Sequence, residues 1–395
     1  MPDLRKLHAL ASPAATLATD TKEEHLMPTL TRREVMRWLF AAGAAHALPG
    51  CGEGAPTATP AAAPDTLQPA GTVAHASLVP LVSAATLAAS SHNTQPWRFV
   101  LEPERVTILP DFARRCPQVD PDDHHLYASL GCAAENLVLA AAVQGQAAEV
   151  TVRDGGARGY VVDVSLARTA AREMPLAAAI SARQCTRAAY DGKPVPPEAL
   201  RALATAGSGR GVSLILVTDA KRMEEVAEYV AQGNVAQIGD ARWREELVDW
   251  IRFNRKEAEL LRDGLYGKAS GNPEVPRLFG KLFMKFAFSA QSQNEKDVPW
   301  IRSSSGVAVF VSEVDDPAHW VEAGRCYERF ALQATALGIR NAFINQPVEV
   351  PALRAQFAQW LGIGARRPDL VVRFGYGPEM PRSLRRRVED VIAPT

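Results

Sequence analysis

The chain has 395 residues, 47% hydrophobic and 22% charged, the make-up of an ordinary globular protein with one large or two smaller domains. Lys plus Arg and Asp plus Glu each number 44, so no global charge argues for nucleic acid or an anionic membrane surface as a partner. Cys51, Cys116, Cys132, Cys185 and Cys326 are scattered, with no CxxC pair or Cys/His spacing of a structural zinc site.

Residues 31–37 read TRREVMR, and an apolar stretch from Trp38 to Leu48 follows. It is too short to span a bilayer, which takes about 20 residues. A basic region before a short apolar one reads as an export signal, and the paired Arg32 and Arg33 resemble a twin-arginine signal. Leu48-Pro49-Gly50-Cys51 resembles a lipoprotein box with Cys51 as the lipid-bearing residue, although Pro49 is unusual there. The competing reading is a basic amphipathic helix of the folded body. The expectation is a leader over 1–51, with a true start at Met27 as one option, and a Pro/Ala/Thr-rich linker over 52–75. The protein is then exported, and is periplasmic or membrane-anchored.

The next segments alternate helix and strand. The patterns predict a helix over 77–89, a strand over 97–101, a long apolar helix over 126–144 closed by Gly145, and strands near 148–153 and 160–166. Further on they predict a helix over 197–206, a strand over 212–218, helices across 221–232 and 241–262, and a helix over 277–290. Strands at 306–312, 341–346 and 369–375 follow, with a helix over 324–338 between the first two. On the 277–290 helix, Phe279, Leu282, Phe283 and Phe286 share one face, with Lys281 and Lys285 off it.

GCAAENLVLAAAVQG (131–145) aligns with GRCYERFALQATALG (324–338) at a constant offset of 193. Gly131 meets Gly324, Glu135 meets Glu328, and Gly145 meets Gly338. Each runs into a β-like stretch. This predicts two related α+β halves, 76–170 and 171–395, packed as an intramolecular pseudo-dimer. The second carries a lid-like insert at about 239–300, whose plainer reading is packing.

Four short polar stretches, and a fifth that gathers Asp and His, could carry chemistry. SSHNTQPW (90–97) and INQPVE (344–349) put amides beside strand ends, where they suit a flat heteroaromatic ring or simple turns. RQCTR (183–187) and RSLRRR (382–387) offer arginine forks suited to phosphate, or solvated basic ends. In VDPDDHHLY (119–127), Asp120, Asp122, Asp123, His124 and His125 resemble metal ligands; capping the following helix is the simpler role, and no metal is expected.

These stretches resemble the nitroreductase-like FMN proteins. AASSHNTQPWRFVL (88–101) resembles their APSxxNxQPWxF signature, and RQCTRAAYDGKPVPPEALRAL (183–203) resembles their RxSxRxF opening, with Cys185 where serine is usual. The 324–363 stretch resembles their central helix and following strand, and LVVRFGYGPEMPRSLRRRVEDVI (370–392) their C-terminal end. The order is that of the fused, Acg-like branch, over residues 77–393. The resemblance implies an α+β nitroreductase-like fold and an FMN-dependent oxidoreductase, with a small-molecule electron donor such as NAD(P)H and a quinone or nitro acceptor. A non-catalytic, lidded FMN-holding protein is the alternative. It also implies that Arg183, Gln184, Cys185 and Arg187 hold the phosphate and the pyrimidine edge, and that Arg385 and Arg387 complete the clamp. Ser90, Ser91 and Asn93 reach in from the first half, while Asn345 and Gln346 lie near N5. Pro347 offers no N–H there. No catalytic acid or base is implied. The second half has only AGSGRGVSL (206–214) where the first has SSHN, so one complete FMN site is expected.

Overall fold

A computed structural model describes residues 70–393, with side chains from Ser77 onward. The leader, Cys51 and most of the expected linker lie outside the described residues. The first half opens with helix α1 (Ala70–Thr86), which begins within the expected linker. Strands β1 (Trp97–Glu102) and β2 (Arg105–Pro110) form a hairpin, and helix α2 (His124–Val143) leads to β3 (Gln146–Asp154) and β4 (Tyr160–Arg168). The sheet order is β1-β2-β4-β3, every neighbour antiparallel. Strand β2 was not anticipated from the pattern.

The second half starts with short helix α3 (Pro175–Ala179), then α4 (Pro197–Ala206) and β5 (Val212–Val217). Helices α5 (Ala220–Gly239), α6 (Ala241–Trp250) and α7 (Arg255–Leu261) follow, with a small parallel pair, β6 (Ile251–Arg252) and β7 (Leu265–Tyr266). Next come α8 (Arg277–Phe286), α9 (Ala290–Arg302), β8 (Gly306–Ser312), α10 (Pro317–Ala336), β9 (Arg340–Phe343), α11 (Gln346–Glu349), α12 (Pro351–Leu361), β10 (Arg367–Gly375) and α13 (Val388–Val391). Its sheet runs β5-β8-β10-β9, again wholly antiparallel.

The two sheets therefore share one plan. Four strands a, b, c and d lie in the order a-b-d-c, with a 20-residue helix between b and c. Both ends of α2 and α10 differ by 193, the offset read from the sequence. These helices pack on each other, and Gly131 and Gly324 permit it. A Cβ on Gly131 would stand 1.9 Å from the Val321 carbonyl oxygen, and one on Gly324 would stand 1.8 Å from that of Ala128. Ala128 and Val321 are also 193 apart, so the two contacts are one contact repeated, as in an isologous dimer. Buried Trp97, Phe99, Leu130, Phe310, Tyr327, Phe330 and Phe374 join one core that spans both halves. Burying each contributes about 1.5–3 kcal/mol or more.

The halves also exchange backbone. Ile392 pairs in parallel with Phe99, and the Ala393 N–H donates to the Phe99 oxygen at 2.8 Å. The tail of the second half thus closes the β1 edge of the first.

Several expected elements differ in detail. The single helix expected across 241–262 is two, because the Asn254 side chain accepts from Glu257 N–H and starts α7 afresh. The helix expected to reach 290 stops at Phe286, and Ser289 and Ser292 form a reciprocal capping box that starts α9. On α8, Gly280 and Met284 face inward, while Leu278, Phe279, Leu282, Phe283 and Phe286 are exposed. The strand expected over 341–346 ends at Phe343, because Asn345 turns the chain into α11. Asp120 caps α2: its two oxygens accept from the His125 and Leu126 N–H groups, each at 2.9 Å. Asp123, the residue next to the helix, makes no such bond.

Candidate functional site

The loop between α1 and β1 is held in a costly conformation. His92, Asn93 and Gln95 have φ of 46°, 54° and 53°, a left-handed region that non-glycine residues rarely enter. Such residues cost about 1–3 kcal/mol each and persist where surrounding contacts over-determine them. Those contacts are present. Asn93 Nδ2 donates to the Gly264 and Leu384 oxygens at 3.0 and 3.1 Å. Gln95, fully buried, donates from Nε2 to the Arg262 oxygen at 2.9 Å and accepts the Arg386 N–H at 2.7 Å. Ser90 Oγ accepts the Gln95 N–H, and the Ser91 N–H donates to Ser129 Oγ. The loop is thereby fastened to the insert and to the C-terminal segment at once.

The RQCTR stretch runs beside the second sheet: Cys185 bridges to Asn341, and the Thr186 N–H donates to the Asn341 oxygen at 2.8 Å. Cys185 Sγ stands 3.7 Å from the Tyr327 hydroxyl. Arg183 is buried at the junction of the halves, with Nε 2.9 Å from Glu328 Oε1 and Nη2 donating to the Leu87 oxygen at 2.8 Å. Burial, the largest single influence, works against its charge, but Glu328 together with Tyr327, Cys185 and Cys132 outweighs it and holds the Arg183 pKa above the ordinary value. Arg385 donates to the Leu87 and Ala88 oxygens. Burial and the nearby Arg183 push its pKa down to about 10. Both guanidiniums thus sit at the C-terminal end of α1, where helix carbonyls favour cations.

Arg187 is different. Among the described residues no acceptor partners its guanidinium, although its charge is felt by His92, Lys296 and Arg373. Burial first, and then Arg187 and His125, push His92 down to about 4. Lys296 Nζ donates to the Ser270 oxygen and Asn272 Oδ1, both at 3.2 Å, and burial lowers its pKa. Gln346 Nε2 donates to Asn234 Oδ1 at 3.2 Å and lies 3.5 Å from Asp297 Oδ2. Asn345 is committed elsewhere: its Oδ1 accepts the Val371 N–H at 2.8 Å and ties the turn to β10.

Buried polar atoms without a partner test whether these residues fit a ligand. His92 Nδ1, Asn93 Oδ1, Gln184 Oε1, Gln346 Oε1 and Arg385 Nε are all such atoms. They come from all four polar stretches. The amide orientations are secure for Asn93 and Gln346, whose nitrogens already donate to oxygens. An unmet buried polar atom costs about 1–3 kcal/mol, so five would cost about 5–15 kcal/mol, as much as a whole domain's stability. Acceptors for a heteroaromatic N–H, donors for its carbonyls, and an unpaired guanidinium for a phosphate are the set an FMN would meet.

The structure brings together Asn93, Arg183, Gln184, Cys185, Arg385 and, through Gln95, the C-terminal segment. Arg187 joins them through His92 and acts on Lys296, and Gln346 reaches that side only through Asp297, the chain neighbour of Lys296. Arg387 is exposed, and Arg386 is the residue turned inward, onto Gln95. Sequence reasoning read Gln95 only as part of the 90–97 amide run, without naming it as a site residue, and passed over His92, Lys296, Arg386 and Glu328. The repeat had marked Glu328, and its burial in an apolar helix was the available signal. Segment 262–272 of the insert lies over this region. Gly264 exchanges bonds with Asn93, Arg262 Nε donates to the Arg385 oxygen at 2.8 Å, and Gly271 is next to Arg187 and Met380. An open polar cleft of about 610 Å³ is lined by Arg115, Glu246, Asp249, Trp250, Arg252 and Asp263 among others. None of the four polar stretches lines it.

Residues 180–376 match the nitroreductase family. A Mycobacterium tuberculosis protein named "Putative NAD(P)H nitroreductase" is 28% identical over 331 residues, which cover 79% of this chain and 90% of its own length. An FMN-bound nitroreductase from Bacteroides fragilis aligns at TM-score 0.33 and 20% identity, over 53% of this chain and 94% of its own. The FMN-dependent nitroreductase NfnB of Mycobacterium smegmatis, in complex with NADPH, aligns at TM-score 0.37 and 13% identity, over 56% and 98%. The chain has an α+β, nitroreductase-like fold with two related halves fused in one polypeptide.

Proposed function

We propose that this protein is an FMN-dependent oxidoreductase of nitroreductase type, drawing on NAD(P)H and reducing a quinone, a nitro compound or a similar small acceptor. The carrying observation is the meeting of unpartnered buried polar atoms from four separated stretches beside the unpaired Arg187. Bound FMN would supply the redox chemistry, taking a hydride at N5 and passing electrons on. The chain's residues do the holding. Arg187, planar and always charged, suits phosphate oxygens, with Lys296 adding charge. Asn93, Gln184 and Gln346 offer amide oxygens to the N–H edge of a ring. Gln346 begins α11, where its N–H has no intrahelical acceptor, and so supplies the donor that Pro347 lacks. Arg183 and Arg385 set positive charge where a reduced, anionic ring is stabilised.

The full-length chain is expected to purify yellow. Arg187→Ala should weaken FMN binding at least tenfold while leaving the melting temperature of the flavin-free protein nearly unchanged, since its guanidinium has no hydrogen-bond or ion-pair partner among the described residues. Colourless protein that ignores added FMN would overturn the assignment. The bonds from segment 262–272 to Asn93, Gln95 and Arg385 favour a second reading, a lidded protein that holds FMN without turnover. If neither NADH nor NADPH bleaches the bound flavin on a turnover timescale, the second reading replaces the first. We also propose the Acg-like branch, export by the twin-arginine route and a lipid anchor at Cys51. Signal-dependent export of the Arg32→Lys/Arg33→Lys variant against wild type tests the route.

A further inference from the structure

A second cluster borders the flavin residues, where α2 of the first half meets α11 of the second: His125 acts on His92, and Glu349 shares α11 with Gln346. Asp120, His124 and His125 are buried, and one ligand atom from each lies within 4.8 Å of the others. Glu349, from α11, has Oε1 3.9 Å from His125 Nδ1, and Asp120 Oδ1 lies at the same 3.9 Å from that nitrogen. His125 is 5% exposed, yet neither of its ring nitrogens has a hydrogen-bond partner. Each of the other three is oriented by a neighbour. His124 Nε2 meets Asp369 Oδ1 at 2.9 Å, which leaves Nδ1 as the free nitrogen. Gln237 Nε2 donates to Glu349 Oε2 at 2.7 Å, and backbone N–H groups hold Asp120.

Charge points the same way. Arg367 serves Asp122, Asp315 and Asp369. For Asp120 and Glu349, the ion-pair partner among the described residues is His125 alone. Two carboxyl groups thus face one histidine, with no Lys or Arg paired to either among the described residues. The N-terminus of α2 disfavours a cation by up to about 2 kcal/mol in a buried setting, which coordination by four donors must exceed.

We propose that Asp120, His124, His125 and Glu349 bind one divalent transition-metal ion of the zinc class, which staples the first half to the second beside the Asn345–Gln346 turn. Two imidazoles and two carboxylates are a borderline donor set suited to such an ion, and the Asp369–His124 and Gln237–Glu349 contacts are the outer partners that ligands of this kind carry. Donors about 2.1 Å from one ion stand about 3.4 Å apart at a tetrahedral angle, so the 3.9 Å pairs, and a spread of up to 4.8 Å among the Asp120, His124 and His125 atoms, must contract when an ion enters. The site is independent of the flavin assignment.

The test is a ZnCl2 titration of the metal-stripped full-length chain against a competing chelator, with metal content by mass spectrometry and flavin content by absorbance on the same samples. One Zn2+ per chain is expected, with a higher melting temperature, and Co2+ in its place should give visible d–d bands. His125→Ala and Glu349→Gln should each weaken Zn2+ binding at least tenfold. Should His125→Ala not fold, Glu349→Gln and the wild-type titration decide. A wild-type chain that takes up neither Zn2+ nor Co2+ at one equivalent, or a folded His125→Ala that binds as tightly as wild type, would overturn the proposal. Because flavin is read separately, metal without flavin and flavin without metal are distinct results.

Discussion

The two halves solve the same junction differently. In each, a helix leads into the first strand of the sheet, α1 into β1 and α4 into β5. The connecting loop is residues 87–96 in one and residues 207–211 in the other. Carbonyls at the helix end are met by guanidiniums both times. Leu87 receives Arg183, from a distant stretch, and Arg183 is paired with fully buried Glu328. Ala206 and Ser208 receive Arg329, which shares Glu135 with Arg325; all three lie at the α2–α10 contact. Glu135 and Glu328 are repeat equivalents. One junction kept a long, strained loop and buried atoms open to a ligand. The other closed on itself with a short loop and an arginine from its own long helix. Asymmetry in a pseudo-dimer thus reaches function through loop length and through which arginine answers the helix end.

This difference can be broken most forcefully at the ion pairs. Arg183→Ala leaves Glu328 buried and uncompensated, and should cost about 3–5 kcal/mol in urea denaturation. Arg329→Ala, partly exposed and with Arg325 still on Glu135, should cost about 1–2 kcal/mol. The double variant Arg183→Met/Glu328→Gln should regain most of the stability but not the flavin affinity. Equal costs for the two alanine variants would show that the junctions are equivalent after all.

Next in size is a test of what the halves still share. Gly131→Ala and Gly324→Ala each drive a Cβ into a carbonyl of the facing helix, and each should destabilise by about 1–3 kcal/mol or more. The two values should agree within about 0.5 kcal/mol if the crossing is symmetric, since the contacts are repeats of each other.

The smallest effect sharpens the strained loop. His92 has its folded pKa lowered from 6.5 to about 4, so between these values the unfolded chain binds more protons than the native one. Its contribution is intact above pH 6.5 and is lost as pH falls toward 4. Wild type should therefore lose more melting temperature than His92→Asn across that interval, Asn being chosen because it tolerates positive φ. Parallel thermal profiles would show that His92 does not titrate as proposed.

Much of this plan was legible in the sequence. The repeat could be read because a close helix crossing demands glycine at both sites, and buried glutamates stand out in an alanine-rich helix. The four polar stretches could be read because polar residues beside buried strands need a reason. Strand β2 escaped because the hairpin turns at Pro103–Glu104 without an Asn-Gly type signal. The break between α6 and α7 escaped because Asn254 sits between two segments that both favour helix. The bonds of Gln95 to Arg262 and Arg386 could not be read at all. They join positions far apart in the chain, and nothing local encodes how the insert folds back.

The pairing of Ile392 with Phe99 bears on the order of assembly. The first sheet is made early in synthesis, but the edge of β1 stays open until a partner roughly 300 residues downstream arrives. An open strand edge is a site for pairing with the wrong chain, so the waiting period is when the nascent protein is most exposed to misassembly. Completion of the first half is thereby made contingent on the second, and a chain that stalls midway cannot finish even the part it has already made.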